Sequence, residues 1–292
     1  MPLHKLASDI ADRVILSHCE HGAKLAIADS MFQALGFTRD KRKRRRPRRP
    51  NWTARDRFLA PHEKRFGTML KGVWDEERRV IIGNMRKYPL KGIMRKDGLS
   101  PVDNWLYPST RFTAKLSVGA QRARAALLNA SIEQTITAWD LDVAFDVVNQ
   151  HALEWLNEHV IDLSGKLEEV NVHDLKTALM EGIDAGESMA DLRQRVNDVF
   201  ETYDKARAEM IARTETIRTQ EQGNQEVYKE AGFSRKVWFA NPDACGLCEE
   251  LNDVDVPIDE PYFDDDYGDG MAPPRHPHCR CASAPFDASW AD

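Results

Sequence analysis

The chain has 292 residues, of which 30% are charged and 42% apolar, so it can bury a sizeable core in two domains or in one domain with extensions. No run approaches the roughly 18 consecutive apolar residues of a membrane span, and Lys5, Asp9 and Asp12 break the first apolar stretch, which speaks against a secretory signal. The net charge of -6 conceals a segregation: residues 1–38 carry -1, residues 39–96 carry +15 and residues 97–292 carry -20, which predicts different partners for different segments.

Residues 2–36 read as helix, with Leu3, Leu6, Ile10 and Val14 on one stripe and Leu25, Ala28, Met31, Phe32 and Leu35 resuming it after Gly22. His18, Cys19 and His21 fall on this stretch and read as ordinary helix residues. We take 1–38 as an N-terminal helix and 39–50 as a basic linker. In the linker Lys41, Arg42, Lys43, Arg44, Arg45, Arg46, Arg48 and Arg49 repel one another and cannot build a core. Such a run can neutralise phosphates, with an affinity that falls steeply with salt. These eight are the candidate nucleic-acid-binding residues, and double-stranded DNA or an acidic protein surface is the partner they suggest.

Residues 51–110 stay basic but gain a helical pattern after Pro61 through Phe66, Met69, Leu70, Val73 and Trp74 toward Tyr88. Residues 97–111 read as loop. Residues 111–164 form a long helical region, with one continuous pattern over 112–160 and Asp140, Asp142 and Asp146 on its solvated side. Two shorter helices are predicted at 171–183 and 188–201, capped by Asn171 and Ser188 and separated by Gly186. A further helix runs from Lys205 to Ala231 and ends at Gly232. Its face mixes Met210, Thr214, Ile217, Glu221, Asn224 and Tyr228, so Glu221 and Asn224, if buried, need partners such as backbone amides. Residues 235–240 and the alternating Val254, Val256 and Ile258 read as strands. The fold class expected is α+β: a predominantly helical N-terminal two thirds and a small C-terminal α+β domain around a stapled loop cluster.

The chemistry is concentrated near the end. Cys245 and Cys248 form a C-x₂-C pair, and after 27 intervening residues His276-x₂-Cys279 repeats the spacing. The four suit a closed tetrahedral zinc site of structural type, with Cys281 and His278 as spare candidates for the fourth place. Disulfides or a redox thiol couple are the competing readings. Between the two halves lies an acidic loop with Asp264, Asp265, Asp266 and Asp269, which lacks the terminal Glu of an EF-hand.

The run Ile211-Ala-Arg213-Thr214-Glu215, then Asn224, Tyr228, Gly232, Trp238, Asp243, Cys245, Cys248, Leu251, Phe263 and Pro273-Pro274-x-His276-Pro277-x-Cys279-Arg280-Cys281 resembles the phage head morphogenesis domain of the Mu F-like minor head proteins of tailed bacteriophages. The resemblance covers about 165–285 and leaves 286–292 as a tail. It implies a minor capsid component of the virion that sits near the portal protein and other head proteins, is made in the host bacterial cytoplasm, and acts in head assembly, DNA packaging or ejection. The leading reading is a non-enzymatic virion protein, in which Arg213, Thr214, Glu221 and Asn224 are structural. The alternative is a metal-dependent nuclease or toxin-like effector, with His278 as base and Asp264 or Asp266 holding Mg²⁺. A zinc-dependent DNA-binding regulator is a third reading, against which stands the lack of a basic recognition helix beside the cluster.

Overall fold

The computed structural model describes residues 49–87, 106–263 and 270–287. The helix expected at 2–36 with His18, Cys19 and His21 lies outside these residues. So do Lys41 to Arg48, residues 97–105 of the loop expected at 97–111, the carboxylates Asp264, Asp265, Asp266 and Asp269, and residues 288–292 of the tail expected at 286–292; of the described remainder, Ser109 already opens a helix and Phe286 ends a strand.

Helix α1, Trp52–Lys87, begins where the Asn51 carboxamide accepts the Ala54 N–H at 3.0 Å. It starts well before Pro61 rather than after it, and Pro61 sits inside the helix. Pro61 is exposed, so the carbonyl that its missing N–H leaves free can be met by water. Leu59, Phe66, Leu70, Trp74, Ile81 and Met85 recur every four or seven residues and bury one stripe.

The single helical pattern expected over 112–160 is two helices. Helix α2, Ser109–Trp139, stops where Asp140 turns left-handed at φ 50° and its N–H meets the carbonyls of Ile136 and Thr137. Asp140 therefore ends a helix instead of lining one, a conformation that Asp tolerates better than most residues. Helix α3, Phe145–Asp184, then runs through the boundary expected between 164 and 165 and includes the short helix expected at 171–183. Asn171 is no cap: it is buried within α3, and its Oδ1 accepts from Arg207 Nη1 at 2.9 Å.

Gly186, at φ 70°, makes the turn into α4, Met189–Thr202. Ser188 caps α4 in a reciprocal capping box with Asp191, as its sequence predicts. A π-helical turn, Tyr203–Arg207, leads into α5, Ala208–Glu230. Helix α5 touches α1, α2 and α3, and the helices share one core that includes Phe66, Trp74, Leu116, Leu156, Phe200 and Ile211.

After α5 comes a three-stranded antiparallel sheet, so the chain is α+β with a helical bulk and a small mixed C-terminal part. Its strands are β1, Arg235–Phe239, β2, Asp255–Pro257, and β3, Ala282–Phe286, in the order β2-β1-β3. Val237 stands opposite both Asp255 and Ala284. Successive side chains of β1 take opposite faces. Val237 and Phe239 pack with Ala284, Trp52 and Trp139, whereas Trp238 packs with the cysteines. Strand β3 reads Ala-Ser-Ala-Pro-Phe and lacks a strand signature. Pro285 is accommodated because β3 is an edge.

One charged cluster lies in the helical core. Glu77 is fully buried and accepts from the Tyr107 hydroxyl, with Asn171 and Glu168 nearby. Burial, and then the Glu168 carboxylate, push Glu77 up to about 8; burial pushes Glu168 up to about 7. Glu77 therefore keeps most of its proton at neutral pH in the folded chain, whereas the unfolded chain releases it in the ordinary carboxylate range. The folded state is unpenalised below that range and loses stability as pH rises toward 8. Glu77→Gln is expected to flatten the fall in stability between pH 5 and pH 8, with a gain over the parent on the order of 3 kcal/mol at pH 8. Chemical denaturation at pH 5 and pH 8 measures it, and an unchanged pH slope refutes it.

Candidate metal centre

Two short turns carry the thiols. The first follows β1: the Asn241 carboxamide accepts the Asp243 N–H at 3.1 Å, and the Asn241 carbonyl accepts the Ala244 N–H at 2.9 Å. This Asx turn, which the sequence Asn-Pro-Asp favours, delivers Cys245 to the start of α6, Gly246–Glu249. The Cys248 N–H then folds back to the Cys245 carbonyl at 2.9 Å, which sets both thiols on one side. Asn252 ties the exit of this turn to β1 by accepting the Ala240 N–H at 3.1 Å.

The second turn precedes β3. The Cys279 N–H meets the His276 carbonyl at 3.1 Å, with His278 left-handed at φ 64° at the apex. The His278 N–H donates to Thr214 Oγ1 at 3.1 Å, so α5 holds this turn directly. Arg275 reaches across to the Leu247 carbonyl and joins the two turns. Gly270 closes the intervening loop at φ 67°, where its carbonyl accepts the Tyr262 N–H at 2.8 Å; a Cβ there would stand 2.0 Å from the Phe263 carbonyl oxygen.

The side chains converge. His276 Nε2 lies 3.2 Å from Cys245 Sγ and 3.2 Å from Cys248 Sγ, and Cys248 Sγ lies 3.8 Å from Cys279 Sγ. Cys281 joins Cys248 and Cys279 in a second close group, so Cys248 is shared by both. A tetrahedral zinc with bonds of about 2.3 Å to sulfur and about 2.0 Å to nitrogen needs edges of about 3.8 Å between sulfurs and about 3.5 Å from sulfur to nitrogen. These three edges fit within a few tenths of an ångström, but the donors fall into two triads that share Cys248, and Cys279 does not close within 4.8 Å of both Cys245 and His276. His276 Nδ1 donates to the Pro277 carbonyl at 2.8 Å, which fixes the tautomer and turns the Nε2 lone pair toward the thiols. No disulfide joins these four cysteines.

Electrostatics support the same conclusion. The Cys279 thiol is drawn down by hydrogen bonds from Cys248 and Cys281, while those two are pushed up. Thiols this close oppose one another's ionisation, and a divalent cation would let them ionise together. Cys245 is lowered, first by the Cys248 backbone N–H. His278 is exposed and lies outside both ligand groups. Its suggested nuclease partners Asp264 and Asp266 lie outside the described residues.

The wall behind the cluster is a buried ion network. Glu221, 1% exposed, accepts the Ser283 N–H at 3.0 Å and the Ser283 hydroxyl at 2.6 Å. Its other oxygen takes Arg55 Nη2 at 2.8 Å, while Arg55 also donates to Gln220 and to the Arg280 carbonyl at 2.8 Å. Asn224 accepts from Thr135 Oγ1 at 2.7 Å, and Arg213 pairs with Glu209 at 3.2 Å. Sequence reading missed Arg55. Its signal was present, a cation four residues before Leu59 on the apolar stripe of α1, but it was lost among the basic neighbours. Lys236 was missed too; it is buried, donates to the Met271 carbonyl at 2.7 Å and lies 5.2 Å from the Tyr262 ring. Arg49, a candidate for phosphate contact, is engaged within the chain by Asp253 at 2.5 Å and lies over the Phe239 ring.

Residues 173–284 match the family described as Phage Mu protein F like protein, which agrees with the resemblance seen in the sequence. Neither the curated proteins nor the solved structures give a significant match.

Proposed function

We propose, taking the phage Mu F-like character of residues 173–284 as premise, that this chain is a structural head-morphogenesis protein of a tailed phage, a minor component of the virion made in the host bacterial cytoplasm. The matched segment carries the reading because it is the part in which α5 holds the second thiol turn and β3, while Arg275 joins that turn to the first. The role is assembly rather than catalysis, with portal protein and other head proteins as partners. A zinc ion on Cys245, Cys248, His276 and Cys279, with Cys281 as the alternate fourth ligand, staples the C-terminal sheet into a rigid docking element. The basic run Lys41 to Arg49 contacts packaged double-stranded DNA through its phosphates. The acidic balance of residues 97–292 keeps the rest of the chain from coating DNA.

The test is to disrupt the gene in its phage and examine the particles. The expected result is that purified parental virions contain the protein at low copy, that tagged protein captures portal protein, and that particles lacking it lose infectivity through failed assembly, packaging or ejection. Fully infective particles without the protein, or its absence from purified virions, would overturn the proposal.

A further inference from the structure

Helix α1 has a solvent face that the metal centre does not use. Arg57, Lys64, Lys71, Arg79 and Arg86 are all exposed and follow one another at intervals of seven, seven, eight and seven residues. Two helical turns take about 7.2 residues, so the five share one side of the helix, and at about 1.5 Å per residue they extend over about 44 Å.

The acids of this helix do not neutralise them. Glu63 lies 3.9 Å from Arg213 and 3.7 Å from Arg280, and Asp56 also pairs with Arg280. Glu76 takes Lys115 and Arg111, and Glu77 is buried against Tyr107. Asp75 pairs with Arg78 at 2.7 Å. None of the five outward cations has an ion-pair partner among the described residues.

What separates the cations is small. Ala60, Pro61, Thr68, Gly72 and Gly83 are exposed between them, and a Cβ at Gly72 or Gly83 would meet nothing within 4 Å. The exposed large apolar residues, Val118, Ile161, Val170, Met180, Leu247 and Val254, all lie on other elements. A protein partner would want an apolar centre on this face, and a single strand would want aromatic platforms; the face offers neither. A duplex presents a phosphate charge about every 1.7 Å of its axis and needs only regular cations with unobstructed approach.

We propose that the outward face of α1 is a binding track for the phosphate backbone of double-stranded DNA, read without sequence preference and spanning about one helical turn of the duplex. It is a site separate from the basic run before Trp52, and it stands independently of the head-protein reading because purified full-length chain suffices to test it.

The experiment is fluorescence anisotropy of the full chain on two labelled 30-base-pair duplexes of unrelated sequence, titrated from 50 to 300 mM NaCl. The quintuple variant R57Q/K64Q/K71Q/R79Q/R86Q is compared with a deletion of residues 41–49. The quintuple variant is expected to keep the parent's helical ellipticity and melting temperature. It should bind both duplexes at least tenfold more weakly at low salt, with a log–log salt slope smaller by about 4. The deletion should lower the slope independently. A quintuple variant with the parent's affinity and slope overturns the proposal, whatever the deletion does. So does one that keeps DNA binding but loses self-association in sedimentation, because the face then serves the acidic surface of another copy.

Discussion

Cys248→Ser is expected to abolish metal retention and unfold the C-terminal sheet while the helices persist. Cys248 is the one thiol common to both close ligand groups and is 1% exposed. Serine in its place removes a thiolate that holds the two turns together across 28 residues of chain. The apolar material around it is thin: Trp238, Leu251 and Tyr262, together with the cysteines themselves. A structural zinc in such a segment contributes on the order of 10–16 kcal/mol of binding free energy, more than that core can replace. Elemental assay should therefore fall from about one zinc per chain to near none. Hydrogen exchange should show lost protection across β1, β2 and β3 while α1 to α5 stay protected. Chelator treatment of the parent should reproduce the pattern, and so should acidification, because protonated thiols release the metal. A Cys281→Ser variant that keeps its zinc would assign Cys281 as the spare donor, and one that loses it would put Cys281 in the coordination shell. Undiminished sheet protection in Cys248→Ser would refute the staple.

The thiol cluster was legible because it depends on short-range geometry: C-x₂-C and H-x₂-C each close within one turn, and an Asx turn aims the first pair. The helix ends at Gly186, Ser188 and Gly232 were legible for the same reason. What stayed hidden depends on partners far along the chain. Arg55 becomes a buried residue only because Glu221 and the Arg280 carbonyl arrive from 166 and 225 residues away. Glu77 sits between Trp74 and Ile81 on the apolar stripe of α1, yet nothing nearby in sequence announces Tyr107. Strand β3 pairs with β1 and is held by Glu221 through Ser283, partners that Ala-Ser-Ala-Pro-Phe does not announce. The break at Asp140 is a single left-handed residue that the apolar period ran straight across.

The buried pair Arg124 and Glu215 locks α5 to α2, and Glu215→Gln is expected to destabilise the chain by about 3–5 kcal/mol. Both residues are at most 5% exposed, and Glu215 Oε2 lies 3.1 Å from Arg124 Nη2 and 2.8 Å from His159 Nε2. Arg124 also donates to Thr219 Oγ1 at 2.7 Å and lies over the Trp155 ring, on which His159 stacks. Burial alone would raise Glu215, but Arg124, His159 and Arg218 outweigh it and hold the carboxyl down to about 2. A carboxylate lowered in the folded state supplies stability that is complete above its ordinary range near 4.5 and is lost as pH falls toward 2. Glutamine keeps the shape and removes the charge, leaving the Arg124 guanidinium buried without a counter-ion. The loss should therefore be large at pH 7 and shrink at pH 3, where the parent has begun to surrender the same interaction. Denaturant titrations at the two pH values measure both quantities. The double variant Arg124→Met with Glu215→Leu removes the stranded charge as well as its partner, and it should recover much of what Glu215→Gln alone loses. A double variant as unstable as the sum of its singles would mean that the two charges act separately, and the link between α2 and α5 would then have to come from apolar packing alone.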